Sequence, residues 1–288
     1  MGLFSDVLLT VDYDRTLTAP DSTIPERNLE AIRFFMENGG AFTVNTGRSI
    51  PMTKVFRDIV PTNAPLLLYT GALAYDPHTG AISAVHEIGL DLWQTVKQLQ
   101  ELFPDLTVEV QGLDAHYNFT PNPLFDAFSI RQNCAYALAA PGQDLGPFLK
   151  FTLYGEFRDD SMNHMYHGSA DEIARIDEAE EVLRRFFGDK VAVFRAAPRI
   201  IDVQAAGVSK AQAARALQQT LGRKILVCAG DGENDVSMLQ AADFAFVPAD
   251  AGVKDRFPNV CNCAEGSVAD VIYEKIPGIL NLELDKRG

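Results

Sequence analysis

Two carboxylates separated by one residue, Asp12 and Asp14, stand where the short apolar run Val7-Leu8-Leu9-Thr10-Val11 ends. Side chains at i and i+2 on a loop leaving a buried strand can face one site. Carboxylates held together repel and shift each other's pKa unless a cation lies between them. A solvated acidic turn is the rival reading of that pair taken alone. A second acidic segment, Gly230-Asp231-Gly232-Glu233-Asn234-Asp235, follows another apolar run at 225–229. Three carboxylates on so short a loop repel one another. A hard cation such as Mg²⁺ offsets this, since it is bound through one or two carboxylates together with substrate phosphate and water. Two further segments suit an anion. Thr46-Gly47-Arg48 offers a hydroxyl, a flexible backbone and a guanidinium. In Gly207-Val208-Ser209-Lys210, Ser209 can cap a following helix. Lys210 then opposes the helix dipole unless an anion lies between them. Each of these two, alone, reads equally as a turn with a surface cation.

The four segments need a scaffold that gathers them. Short apolar runs at 7–11, 41–44, 65–69, 225–229 and 244–247 predict buried strands. Helices are expected at 24–38, with Pro25 at the start and Gly39-Gly40 beyond the end, and at 51–60, 210–221 and 235–241. That alternation predicts an α/β fold, a doubly wound, Rossmann-like parallel sheet. Such sheets bind ligands beyond the carboxyl ends of their strands, where the segments fall. The middle differs. Strands are expected near 108–111, 117–120, 150–154, 191–194 and 199–203, and helices near 90–103 and 170–187. Strands without helices between them predict an α+β layer with an antiparallel sheet. The chain is therefore expected to form a core from 1–80 and 205–288, split by an inserted α+β domain at 81–204. The turn-rich segments 76–80 and 205–207 serve as joints.

The composition narrows the function classes. The 288 residues carry 39 acidic against 25 basic side chains, a net charge of −14, with 47% apolar and 22% charged residues. This is the balance of a globular protein long enough for two domains. No basic stripe is present, which argues against nucleic acid and against an anionic membrane surface. The charge does not argue against a phosphate ester, because a bound cation would meet that charge locally and distant acids are screened over about 8 Å. The four cysteines, Cys134, Cys228, Cys261 and Cys263, lack metal-ligand spacing and suit a reducing cytoplasm. No secretory signal or spanning segment is expected, and the chain is expected to be a monomer or a weak homo-oligomer. P-loop, GxSxG, HExxH and dinucleotide signatures are missing. His164 and His167 have helical chelate spacing without a third ligand nearby, Trp93 reads as packing, and the acidic run at 171–181 reads as a solvated helix face.

In their order and spacing the motifs resemble the haloacid dehalogenase superfamily of phosphatases, and within it the Cof-type group with a large α/β cap. The resemblance rests on Asp12–Thr18, Thr46–Arg48, Thr70-Gly71-Ala72, Gly207–Lys210 and Gly230–Asp235, and it spans almost the whole chain. It implies Asp12 as the nucleophile that forms an aspartyl-phosphate and Asp14 as general acid, then base. It implies Thr46, Gly47, Arg48, Lys210 and Asn234 as phosphate and substrate contacts. It implies Mg²⁺ held by Asp12, the Asp14 main chain, Asp231 and Asp235. The substrate it implies is a small phosphorylated metabolite, sugar phosphates first. Two positions depart from the pattern: Arg15 stands where the family commonly has Gly, and Thr70 where it commonly has Asn. Phosphoryl transfer to another sugar hydroxyl, as in a phosphomutase, and non-catalytic binding of phosphosugars remain alternatives at this stage.

Overall fold

The computed structural model describes residues 2–131, 134–159 and 163–281. By their contacts these divide into two units. The first comprises 1–46, 57–83 and 209–288, and the second 47–56 and 84–208.

In the first unit, β1 (Val7–Val11) leads through a wide turn, Tyr13–Leu17, to α1 (Glu26–Glu37) and β2 (Ala41–Val44). Short strands β3 (Leu66–Leu68), β4 (Leu73–Tyr75) and β5 (Ile82–Ser83) follow. In the second unit come α2 (Leu92–Leu102), β6 (Thr107–Gly112), β7 (His116–Asn118), α3 (Pro123–Arg131), β8 (Tyr136–Leu138) and β9 (Phe148–Tyr154). That unit closes with α4 (Ala170–Phe187), β10 (Val191–Ala197) and β11 (Ile200–Ala205). The chain then completes the first unit with α5 (Lys210–Thr220), β12 (Ile225–Ala229), α6 (Val236–Ala241), β13 (Phe244–Pro248), β14 (Asn259–Val260), α7 (Ser267–Asp270) and α8 (Ile276–Leu280).

The first unit is built on a parallel sheet in the order β14-β13-β12-β1-β2. Every residue of β1 and β2 is buried, as strands with both faces covered require. The connection from β1 goes to β2 on one side while β12 lies on the other, so the carboxyl end of β1 is a topological switch point. Helix α1 buries Leu29, Ile32 and Phe35 from one stripe, the spacing that its amphipathic pattern predicts.

The expected α/β architecture is present, with two local corrections. Leu66–Leu68 does not join the parallel sheet. It pairs antiparallel with β4 and touches β2's continuation only at the Asn45–Leu67 bridge. Left-handed backbone at Tyr69 (φ 50°), Thr70 (φ 56°) and Gly71 (φ 96°) turns the chain straight back. The helix expected over 51–60 is only a short turn at Pro51–Val55, stapled by Thr53 Oγ1 donating to the Ile50 carbonyl.

The second unit holds a six-stranded sheet, β10-β11-β9-β6-β7-β8, antiparallel except for β7 and β8. Helix α3 links that parallel pair, begun by Asn122, whose Oδ1 accepts the Phe125 N–H. Val108, Val110, Phe151, Leu153, Ile201 and Val203 bury one face, against which α2 and α4 pack. The alternate positions, Glu109, Gln111, Lys150, Thr152 and Asp202, are polar and also buried. No helix among the described residues is long and apolar enough to cross a membrane.

Candidate active site

The site grows from adjacent strand ends. Val11 pairs with Ala229 on one side and Val44 on the other. The residues that follow these three are Asp12, Gly230-Asp231 and Asn45-Thr46. Asp12 N–H donates to the Ala229 carbonyl at 2.9 Å, and Asn45 N–H to the Val11 carbonyl at 2.8 Å. These bonds carry the sheet register one residue past the strands, which brings side chains far apart in sequence to one edge.

Asp12 then enters the turn Tyr13–Leu17, where Asp14 is extended (φ −75°, ψ 126°) and Arg15 left-handed (φ 60°, ψ 10°). A left-handed residue with a side chain costs roughly 1–2 kcal/mol, so the surroundings must hold this turn. Asn28 Nδ2 donates to the Leu17 carbonyl at 3.0 Å and Ser267 Oγ to the Thr16 carbonyl at 2.8 Å. Arg15 Nε reaches within 3.9 Å of Asp231 Oδ2, and Thr16 Oγ1 donates to Asp231 Oδ1 at 3.4 Å.

Lys210 lies at the centre. It is fully buried, at the first position of α5 behind the Ser209 cap. Its Nζ donates to Asp12 Oδ1 at 2.5 Å and to Asp235 Oδ1 at 2.6 Å. Asp235 Oδ2 accepts the N–H groups of Asp231 and Gly232, each at 3.0 Å, and so folds the acidic loop onto itself. A Cβ at Gly230 would fall 2.6 Å from that of Asp235, so the loop closes only around glycine. Asn45 Nδ2 donates to the Lys210 carbonyl at 2.9 Å, tying the end of β2 to the start of α5. Thr46, buried, accepts the Thr70 N–H on its carbonyl at 3.0 Å.

One carboxylate oxygen from each of Asp12, Asp231 and Asp235 lies within 4.8 Å of the others. Two buried acids, Asp12 and Asp235, and the half-buried Asp231 meet one buried ammonium, with the Arg15 guanidinium at 3.9 Å from Asp231. Burial, aided by Asp235 and Asp14, outweighs Lys210 and pushes the Asp12 carboxyl up to about 7. Burial, then Asp235 and Asp12, also raises Asp231 well above the carboxylate range. For Lys210, burial acts to lower the pKa, but the two adjacent carboxylates outweigh it and hold the ammonium charged. A hard, oxygen-seeking divalent cation fits this donor set: it would neutralise the excess charge that burial penalises.

The structure therefore gathers Asp12, Asp14, Thr46, Lys210, Asp231 and Asp235 in the first unit, with Asn234 half-buried on the same acidic turn. Gly47 and Arg48 group with the second unit instead. Asn45, Asn28, Thr16 and Ser267 carry much of the scaffold's hydrogen bonding, and sequence reasoning gives none of them a role, Thr16 entering only as a member of the Asp12–Thr18 motif. An Asn or Ser beside a strand or helix end reads as ordinary turn chemistry.

Comparison with known proteins adds a family. The model of the haloacid dehalogenase-like hydrolases matches residues 9–272. A Buchnera aphidicola protein named "Putative phosphatase" is 23% identical over 262 residues, covering 87% of this chain and 88% of its own. A haloacid dehalogenase-like hydrolase from Bacteroides thetaiotaomicron has the same fold, with a TM-score of 0.74 at 19% identity over 92% of this chain and 97% of its own. The subclass IIB sugar phosphatase BT4131 gives a TM-score of 0.72 at 18% identity, over 94% and 99%.

Proposed function

The chain belongs to the haloacid dehalogenase-like hydrolases and is a phosphatase of that family, and from this premise we propose that it hydrolyses small phosphorylated metabolites with Mg²⁺ through an aspartyl-phosphate on Asp12. The observation that carries the reading is the carboxylate trio Asp12, Asp231 and Asp235 beside the buried Lys210. The fold shared with a sugar phosphatase supports sugar phosphates as the first substrates to try.

Asp12, the Asp14 main-chain carbonyl and Asp231 would hold Mg²⁺, with Asp235 beside them. Bound there, the ion supplies positive charge against an anionic nucleophile approaching an anionic ester. An Asp12 carboxylate oxygen attacks phosphorus, and the bond from phosphorus to the leaving oxygen breaks. Asp14 gives that oxygen its proton. Water then attacks phosphorus, Asp14 takes a proton back, and the bond to Asp12 breaks to release inorganic phosphate. Thr46, Lys210 and Asn234 hold phosphoryl oxygens, joined by Gly47 and Arg48. Lys210 also favours the ionised form of Asp12. The second unit would serve as the cap that selects the leaving group.

The test is hydrolysis of p-nitrophenyl phosphate and a panel of sugar phosphates with Mg²⁺, for wild type and Asp12→Asn. The variant is expected to lose on the order of 10³-fold or more in kcat, and chelation to abolish wild-type turnover. Equal rates in the two proteins, or turnover that survives chelation, would overturn the reading.

A further inference from the structure

The second unit contains a network that the reaction above does not use, and it ends on the segment carrying Gly47 and Arg48. Two charged pairs, Glu109 with His116 and Lys150 with Asp202, lie on the polar face of the six-stranded sheet, each side chain no more than about 6% exposed. Lys150 Nζ donates to Asp202 Oδ2 at 3.0 Å and to the Gly47 carbonyl at 2.9 Å. His116 Nδ1 meets Glu109 Oε1 at 2.8 Å, and its Nε2 meets Ser49 Oγ at 2.7 Å.

The second contact has the outline of a Ser-His-Glu triad, and the electrostatics exclude that use. Burial would favour a neutral imidazole, but the Glu109 carboxylate outweighs it and lifts His116 to about 9. Both ring nitrogens then carry protons at neutral pH, so Nε2 donates to Ser49 and cannot take its proton. Ser49 is also fully buried. What remains is geometric. Two buried cations grip the residues on either side of Arg48, one by a main-chain carbonyl and the other by a hydroxyl. Ser49 Oγ in turn accepts the Met52 N–H at 3.4 Å, which begins the turn Pro51–Val55. Each cation is itself held by a carboxylate on a neighbouring strand.

Stability alone does not account for the arrangement. A buried ion pair is commonly no better than well-packed apolar residues of the same volume, whereas fixing one register is its best-attested use. Here the register fixed is that of a three-residue stretch continuous with Thr46. We infer that Lys150–Asp202 and His116–Glu109 are positioning residues that set the course of Gly47-Arg48-Ser49 and thereby the anion affinity of the site. This rests on the reading that Thr46-Gly47-Arg48 takes a phosphoryl group.

The test compares wild type with Lys150→Met, Ser49→Ala and Lys150→Arg. The first readout is amide hydrogen exchange at residues 47–50, which needs no turnover. Exchange there is expected to quicken about tenfold or more in Lys150→Met and Ser49→Ala, while β6 and β9 keep their protection. The second readout is steady-state kinetics on p-nitrophenyl phosphate with Mg²⁺, together with inhibition by inorganic phosphate. KM and the inhibition constant are expected to rise about five- to fifty-fold with kcat changed less than about threefold. Lys150→Arg, which keeps a cation, should recover most of both. Unchanged exchange at 47–50, or unchanged KM with only a lower melting temperature, overturns the inference. Ser49→Ala removes one hydroxyl and carries the test if Lys150→Met does not fold. A wild type that hydrolyses no phosphate ester counts against the proposed function, and the exchange readout still decides whether the grip on 47–50 exists.

Discussion

In the first unit three carboxylates, Asp12, Asp231 and Asp235, cluster about one buried ammonium, Lys210, with only the half-exposed Arg15 beside Asp231 as a further cation. In the second, two carboxylates, Glu109 and Asp202, answer two cations, His116 and Lys150. Both clusters lie largely out of water, yet Asp12 and Asp231 in one and Glu109 in the other respond in opposite ways. Burial raises Asp12 and Asp231, and one Lys cannot reverse it. Burial would also raise Glu109, but His116 and the hydrogen bonds from Gln111 and Tyr154 bring it below its ordinary value. Depth therefore does not distinguish a binding site from a structural network; charge balance does. The balanced cluster is complete as it stands, whereas the unbalanced one has chemistry to offer a cation and a phosphate.

The widest gap between the clusters should appear on removing a cation. Lys210→Met leaves the buried Asp12 and Asp235 without their ammonium partner, and a loss of about 3–5 kcal/mol is expected in urea unfolding of the metal-free protein. The paired replacement Lys150→Met with Asp202→Leu should cost clearly less in the same assay, because both charges leave together and only the Gly47 carbonyl and the Thr152 hydroxyl lose a partner. A large loss in the double variant would break the comparison.

A smaller effect separates the clusters by pH. Asp12 has a folded pKa raised from 3.8 to about 7. Its contribution is full below about 4 and is lost as pH rises through about 7. His116 is raised from 6.5 to about 9, so its contribution is full below about 6.5 and is lost as pH rises through about 9. Urea midpoints from pH 4 to 10 should therefore fall in two windows with a chelator. Saturating Mg²⁺ should flatten the first and leave the second. A Mg²⁺ effect confined to the upper window would reverse the assignment.

The smallest effect concerns strain. Arg15→Gly relieves left-handed backbone at φ 60° and concedes part of that gain to a looser unfolded chain, leaving about 0.5 kcal/mol of added stability by thermal unfolding. A loss on that substitution would mean that the long Arg15–Asp231 contact contributes more than its 3.9 Å suggests.

Much of the first unit was legible in the sequence. Buried parallel strands are continuous apolar runs, and the motif residues follow them directly. The family resemblance then supplied the order of the parts. What was not legible is specific. The apolar run at 65–69 carries no sign of direction, so the antiparallel turn of β3 depends on left-handed residues at Tyr69 and Thr70 that neither side chain advertises. Both departures from the family pattern, Arg15 and Thr70, fall on left-handed backbone, where Gly and Asn are the undemanding choices. On β6, β9 and β11 the alternation of polar and apolar residues predicts a face in water, yet Glu109, Lys150, Thr152 and Asp202 are buried. Their partners lie on other strands and at 47–49, which no local pattern reveals. The pairing of α3 with β8 was missed because nine- and three-residue elements have too little periodicity to read.

The chain passes between the two units four times, because 47–56 belongs with 84–208. This bears on how such a protein can be recombined. A borrowed second unit inserted between 83 and 209 would arrive without its own version of Gly47 and Ser49, and its buried cations would meet a foreign loop. The exchangeable module is thus two stretches of chain, one short and one long. Lineages or engineers that shuffle only the long stretch inherit a mismatch at Gly47 and Ser49, which Lys150 and His116 hold.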